Sequence, residues 1–264
     1  MARAEAVTRE LLRGWPLPSL ENAHDKNDRG TVHVVGGSVA TAGAVLLAGI
    51  AALRVGAGRL TITTVEETAI QLSVAIPEAM VVGQPSEDGS LTSCHLDHEP
   101  DAVVIGPGIT QPGDLVRSVM TSCGEAAAVI DAVALRDLPP QLPARTVLTP
   151  NAVELEHLGG DAATVSRERQ AVIATHGCVA APDGRLWTDA QGSIALGTSG
   201  SGDVLAGIIG GLLARGAEPA QAACWGQYLH GAAAREISGR TGRVGLLARE
   251  LLDVLPGLME RLSP

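Results

Sequence analysis

Short runs of β-branched and aliphatic residues, each ending in glycine or a polar residue, recur along the first part of this chain. They occupy residues 30–38, 59–65, 101–108, 126–131 and 145–151. Apolar runs of this kind are typical of strands that are buried on both faces of a parallel sheet. Helical segments, such as residues 45–56 and 116–124, lie between them. The alternation predicts a three-layer α/β sandwich, with a mostly parallel central sheet flanked by helices.

The second part of the chain changes from strands to helices. The pattern predicts a helix over residues 167–174 and strands over 178–181 and 185–188, which the turn Pro182-Asp183-Gly184 joins. Helices are expected over 204–215, 219–238 and 245–262, and a short one near residues 8–13 in a polar N-terminal segment. No repeat or linker interrupts the order, so we expect one domain over residues 1–264.

Composition excludes several classes of function. The formal net charge is −10, which disfavours a nucleic-acid partner but leaves room for a small phosphorylated ligand. The longest apolar stretch, residues 42–55, is too short to cross a membrane, and the N-terminus lacks the apolar core of a signal peptide. The four cysteines are scattered without metal-ligand spacing. We therefore expect a cytoplasmic protein without a membrane partner.

Gly197-Thr198-Ser199-Gly200-Ser201-Gly202-Asp203 combines small residues with one carboxylate, directly before an apolar helical segment. Backbone N–H groups at a helix start have no helical acceptor, and together with the helix dipole they bind anions, above all phosphate. We expect the N–H groups of Gly200, Ser201 and Gly202 to serve in this way. Asp203 is then a catalytic base or a metal contact. The alternative is a glycine-rich turn in which Asp203 caps the helix.

Five motifs in order resemble one known family. They are Gly36-Gly37-Ser38 with Gly43-Ala44 and residues 51–58; Gly106-Pro107-Gly108; Thr149-Pro150-Asn151-Ala152-Val153-Glu154; Gly200 to Ile208; and Tyr228 to Ala233. Together they resemble the ADP/ATP-dependent NAD(P)H-hydrate dehydratase family, a branch of the ribokinase-like superfamily. The resemblance runs from about Lys26 to the C-terminus.

This resemblance implies a reaction. ADP or ATP would phosphorylate the ring hydroxyl of the S epimer of NAD(P)H hydrate, and loss of phosphate would then restore NAD(P)H. Gly200, Ser201 and Gly202 would bind the phosphate, and Asp203 would be the base and also contact the hydrate. Ala44, Gly108 and Asn151 match positions that contact the substrate, although packing and turn geometry would also explain the first two.

The chain departs from the family pattern in its polar residues. Asn151 stands where the family usually has histidine. The lysine that normally lines the nucleotide phosphates is missing, so Thr175 or His176 would replace part of that contact. Glu154 would help to hold a hydrated Mg²⁺, or it is only a first-turn carboxylate of a helix. Asp131, at a strand end, has either a site role or a capping role.

The resemblance favours a nucleotide-dependent NAD(P)H-hydrate dehydratase of metabolite repair. A small-molecule kinase that phosphorylates a hydroxyl group would use Asp203 and the same glycine-rich turn. A catalytically weak nucleotide-binding protein is the third interpretation, which the missing lysine and histidine motivate. The family resemblance also implies a homo-oligomer, commonly a tetramer. We interpret His230 as a packed or capping residue.

Overall fold

The computed structural model describes residues 4–21, 23–189 and 192–263, and within these residues ten strands form one sheet. The order across the sheet is β1-β10-β9-β8-β7-β6-β5-β2-β3-β4. The strands are β1 (Glu5–Ala6), β2 (Thr31–Val35), β3 (Arg59–Val65), β4 (Ala79–Gln84), β5 (Ala102–Ile105), β6 (Ala127–Ile130), β7 (Thr146–Leu148), β8 (Val172–Thr175), β9 (Cys178–Ala180) and β10 (Leu186–Thr188).

All neighbouring strands from β8 to β4 pair in parallel, as does β1 with β10, and only β9 is antiparallel to both of its neighbours. The prediction of a mostly parallel sheet is therefore confirmed. The helices are α1 (Arg9–Gly14), α2 (Gly43–Arg54), α3 (Glu66–Ala75), α4 (Leu115–Met120), α5 (Ala152–Leu158), α6 (Ala162–Arg169), α7 (Ser201–Ala214), α8 (Pro219–Thr241) and α9 (Ala248–Leu262).

Helical layers cover both faces of the sheet. Alternate residues of one strand point to opposite faces, so that Val34 belongs to one buried cluster and Val35 to the other. The first cluster contains the apolar residues of α2, α7, α8 and α9, and the second those of α4 and α6. The three layers predicted from the sequence are thus present.

Helices α2 and α7 pack with their backbones in close contact. A Cβ atom on Gly207 would lie 2.1 Å from the carbonyl oxygen of Ala48, and one on Gly211 would lie 2.6 Å from that of Ala52. Only glycine fits at such distances, because the clash would be with backbone atoms that a side-chain rotation cannot move. These two glycines therefore set where α7 begins relative to the sheet.

The predicted helix over residues 167–174 is confirmed for residues 167–169 and wrong beyond them. Helix α6 ends at Arg169, Gln170 adopts a left-handed conformation with φ 52°, and β8 begins at Val172. The buried apolar run that follows Gln170 pairs with β7 and β9 instead of continuing the helix. The turn at Pro182-Asp183-Gly184 is confirmed, since it joins the antiparallel strands β9 and β10.

The N-terminal segment is more than a polar lead-in. β1 adds to the sheet beside β10, and Leu12 of α1 is completely buried. Thr8 caps α1 by accepting a hydrogen bond from the N–H of Leu11 at 3.1 Å. No helix among the described residues has both the length and the hydropathy that a membrane span requires.

Candidate active site

The glycine-rich and polar motifs of the sequence meet at one edge of the sheet. Strands β2, β5, β6 and β7 are neighbours and run in parallel, so that their carboxyl ends lie at the same edge. Gly36, Gly106, Asp131 and Thr149 directly follow these four strands. Ligands of open parallel sheets bind outside this edge, and it is here that we place the candidate site.

Gly200 forms the turn that leads into α7. Its φ is +88°, and a Cβ atom there would lie 2.6 Å from Cδ1 of Leu47 and 3.2 Å from Cβ of Ala248. Because this backbone conformation and this space both require glycine, α2 and the start of α9 hold the turn in place.

One of the three expected anion donors is already used within the turn. The N–H of Ser201 donates to the carbonyl of Thr198 at 3.3 Å, and the Ser201 hydroxyl donates to the carbonyl of Leu196 at 2.7 Å. The N–H groups of Gly202 and Asp203 follow in the first helical turn, where no helical acceptor exists for them. Gly202 is exposed, so its N–H is the donor best placed to meet a phosphate.

Asp203 and Asp131 are two buried carboxylates at this edge, close enough for the charge of Asp203 to act on Asp131. Burial raises the pKa of Asp203 to about 6. Burial also raises the pKa of Asp131 to about 7, and the negative charges of Asp203 and Glu154 add to this rise, while a hydrogen bond from Thr149 opposes it. That bond runs from the Thr149 hydroxyl to Oδ1 of Asp131 at 2.7 Å. A carboxylate whose pKa is near neutral is suited to accepting a proton.

The raised pKa of Asp131 predicts a pH-dependent cost in stability. The folded protein binds this proton more tightly than the unfolded chain does, so its free energy of unfolding falls as the pH rises from about 4 to about 7. Asp131→Asn removes the titration while keeping an oxygen that can accept from Thr149. We expect the variant to gain melting temperature over the wild type by several degrees at pH 8, since each kcal/mol is worth roughly 2–4 °C in a protein of this size.

The check is thermal unfolding of both proteins at pH 4.5 and at pH 8. The gain should shrink at the lower pH, where Asp131 of the folded wild type is protonated and uncharged. An equal difference between the two proteins at both pH values would show that the Asp131 carboxyl is not destabilised by its buried position.

Gly108 and Ala44 lie together beside the turn that follows β2. A Cβ atom on Gly108 would lie 2.8 Å from Cβ of Ala44, 2.6 Å from the carbonyl oxygen of Thr41 and 3.2 Å from Cα of Gly37. The Thr41 hydroxyl also donates to the carbonyl of Gly108 at 2.6 Å. The structure thus brings together two of the substrate positions expected from the resemblance, in a place where only small residues fit.

Asn151 and Glu154 form a capping box at the start of α5. Oδ1 of Asn151 accepts from the N–H groups of Val153 and Glu154, both at 2.9 Å, and Oε2 of Glu154 accepts from the N–H of Asn151 at 2.9 Å. Glu154 is therefore a first-turn carboxylate that caps α5, as one of the two expectations had it. Its negative charge also raises the pKa of Asp131. Capping uses the Asn151 oxygen, so its amide nitrogen remains as the group that can meet a ligand.

Thr175 and His176 lie farther along the edge, at the end of β8. Leu148 pairs with Ile173, which puts Thr175 next to Pro150 and two strands away from Asp131. Thr175 is buried and His176 is exposed in the turn before β9. The structure therefore places Thr175 beside the segment that leads into Asn151.

The site has carboxylates but no lysine. Lys26 is the single lysine of the sequence. Its carbonyl oxygen lies against Gly58, the residue before β3. Lys26 is therefore near the amino ends of the strands, opposite the candidate site. Among the described residues, no group of three His, Cys, Asp or Glu side chains is arranged to hold a metal ion. The positive end of the α7 dipole is one source of positive potential at this edge.

A comparison with known protein families shows which family this chain belongs to. Residues 32–257 match the sequence model of the NAD(P)H-hydrate dehydratase family. The chain belongs to this family. A relative from Xanthomonas campestris pv. campestris, named ADP-dependent (S)-NAD(P)H-hydrate dehydratase, is 38% identical over 290 residues and covers 98% of both chains.

Solved structures agree with the family and with the fold. The ADP/ATP-dependent NAD(P)H-hydrate dehydratase from Bacillus subtilis, co-crystallised with ATP and Mg²⁺, superposes with a TM-score of 0.89 at 30% identity, covering 100% of both chains. A ribokinase-like superfamily protein from Enterococcus faecalis V583 reaches 0.81 at 22% identity, over 98% of this chain and 96% of the other. The ribokinase-like three-layer fold expected from the sequence is confirmed.

Two features of the site in this family member were not predicted from the sequence. The influence of Asp203 on the pKa of Asp131 joins residues 72 positions apart in the sequence, and no local pattern indicates it. The capping box, in contrast, has a sequence signature, since Asn151 precedes Glu154 by three residues at the start of a helix.

Proposed function

We propose that this chain catalyses the nucleotide-dependent dehydration of the S epimer of NAD(P)H hydrate to NAD(P)H. The observation that carries the proposal is Asp203, a carboxylate with a raised pKa in the first turn of α7, beside the N–H of Gly202, which has no acceptor within the helix. Family membership and the activity named for the Xanthomonas and Bacillus relatives support it. The whole chain would act as one domain of this kind.

The mechanism follows from what each group can do. The ring hydroxyl of the hydrate would attack the terminal phosphate of ADP or ATP while Asp203 takes the hydroxyl proton. The N–H of Gly202 and the positive end of α7 would stabilise the negative charge on the transferring phosphate. Phosphate would then leave the ring carbon that carried the hydroxyl, and the adjacent ring carbon would lose a proton to solvent, so that the double bond of the nicotinamide ring re-forms.

The substrate would lie over the small residues next to this turn. Ala44 and Gly108 pack closely against each other beside Gly37 and are partly exposed, so the substrate would contact them from the solvent side. The amide nitrogen of Asn151 would donate a hydrogen bond to the substrate. Thr175 and His176 would contribute to the nucleotide side. A tetramer, a cytoplasmic location and the absence of a nucleic-acid partner stay predictions from the sequence.

The carboxylates fit a hydrated Mg²⁺ that arrives with the nucleotide. Glu154 and Asp203 are close enough to Asp131 to raise its pKa. The three carboxylates are nevertheless not arranged to bind a metal ion directly. Mg²⁺ prefers oxygen ligands, keeps several waters and is commonly held by one or two carboxylates together with phosphates. Glu154 would hold it through water, and the ion would neutralise phosphate charge that no lysine neutralises here.

The test is incubation of the protein with hydrated NADH and with ADP or ATP, following the absorbance of the restored nicotinamide ring. Recovery that requires nucleotide supports the proposal, and no recovery at high enzyme concentration refutes it. Mass spectrometry of the products separates the alternatives: a stable phosphorylated product would indicate a kinase, and nucleotide binding without any turnover would indicate a binding protein.

A further inference from the structure

Two buried side-chain nitrogens of α8 have no hydrogen-bond partner among the described residues. They are Nε2 of Gln227 and Nε2 of His230, in side chains that are 7% and 6% exposed. The residues are three positions apart, so they are neighbours on one side of the helix. Unpaired buried nitrogens are uncommon in folded proteins, because each keeps the full cost of leaving water.

His230 is a buried residue of α8 that reaches the start of α7. Its imidazole interacts with the backbone of Ser201, the first residue of that helix. Ser201 is itself buried, and its hydroxyl is bonded to the carbonyl of Leu196. Ser201 is thus contacted both by His230 and by the carbonyl of Leu196. Burial lowers the pKa of His230 to about 4, so the ring is neutral at pH 7 and acts through hydrogen bonding and shape.

We propose that His230 is a positioning residue that fixes the backbone of Ser201 and Gly202, so that the Gly202 N–H is aimed at the transferring phosphate. The inference rests on the proposed function, because it assigns a purpose to the same turn. A leucine would fill the same space without any unpaired nitrogen. The polar ring is therefore explained by its contact with Ser201 rather than by packing. Backbone N–H donors stabilise the charge of a transition state most effectively when they are already aligned with it before the reaction.

The test compares His230→Leu with a matched control, His33→Leu. His33 is also a buried histidine, 7% exposed, whose pKa burial lowers to about 4. It lies on β2, where Nε2 contacts the Thr63 hydroxyl at 2.8 Å, on the second face of the sheet. We expect His230→Leu to lower kcat by about 10-fold to 100-fold, as for a small misplacement of a catalytic group, with a smaller change in KM. His33→Leu should keep the wild-type kcat, with thermal unfolding confirming that both variants fold.

Conservative variants separate positioning from packing. His230→Asn and His230→Gln carry an amide nitrogen near the place of Nδ1 and of Nε2 respectively, and we expect one of them to restore most of the lost kcat. Retention of kcat in His230→Leu, or an equal loss in His33→Leu, would overturn the proposal. If the leucine variant does not fold, the two amide variants decide: a difference in kcat between them supports the proposal, and equal values overturn it.

Calorimetry with ATP and Mg²⁺ keeps this inference separate from the proposed function. If the wild type binds ATP but does not turn over hydrated NADH, the proposed function fails. The positioning role is then judged by affinity alone: weaker ATP binding in His230→Leu than in His33→Leu supports it, and equal binding overturns it.

Discussion

Asp203→Asn should lower the turnover of hydrated NADH by about 100-fold to 10,000-fold, the range that a positioned general base contributes. The amide has the size of the carboxylate but cannot accept the proton of the attacking hydroxyl. Nucleotide affinity should stay the same or improve, because the change removes a negative charge close to the phosphates. Turnover is measured by the absorbance of the restored ring, and nucleotide binding by calorimetry.

Asp253→Asn is the matched control for this substitution. Asp253 is an exposed carboxylate of α9 that pairs with Arg54 at 3.2 Å, and exposed pairs contribute little to stability. We expect the control to keep wild-type turnover. If Asp203→Asn also remained within about tenfold of the wild type, well below the usual contribution of a base, Asp203 would not be the proton acceptor.

Gly207→Ala should destabilise the fold by about 3 kcal/mol, at the upper end of the usual cost of overpacking. The added Cβ atom would lie 2.1 Å from the carbonyl oxygen of Ala48 and 2.7 Å from its Cα. Both are backbone atoms, so α2 and α7 would have to separate. Since the start of α7 carries Gly202 and Asp203, turnover should fall as well. Thermal or urea unfolding measures the loss of stability.

Gly239→Ala is the matched control for this second prediction. Gly239 is an exposed residue in α8, and a Cβ atom there would meet nothing within 4 Å. In an open helical position alanine is favoured over glycine by up to about 1 kcal/mol, so we expect equal or greater stability. If Gly207→Ala were as stable as the wild type, the close contact between α2 and α7 would not set the position of the site.

Much of the fold was predictable from local pattern. Strand β3 begins and ends where the apolar run predicts, and the helices after Gly200 lie within three residues of their predicted bounds. The error at residues 172–174 has a local cause: a short buried apolar run has no periodicity to distinguish a helix from a strand. The left-handed conformation of Gln170 ends α6, and pairing with β7 stabilises the following residues as strand β8.

The candidate site was predictable in part. The turn at Gly200 and the proximity of Gly108 to Ala44 follow from motifs that the family resemblance located. The use of the Ser201 N–H within the turn, the raised pKa of Asp131 and the burial of His230 against Ser201 did not follow from any motif. Each depends on a contact between segments, or on the burial that such contacts produce.

The sequence by itself determined the class of the fold, the order of its strands and helices along the chain, and the family, because these depend on local propensities and on motifs of fixed spacing. Only the tertiary structure decided how the site is built. Gly207 must first bring α7 against α2, and the parallel strands must bring Asp131 to the edge where α7 begins. That packing excludes water from Asp203 in the turn and from Asp131 at the end of β6, and this exclusion raises the pKa values of both carboxylates toward neutrality.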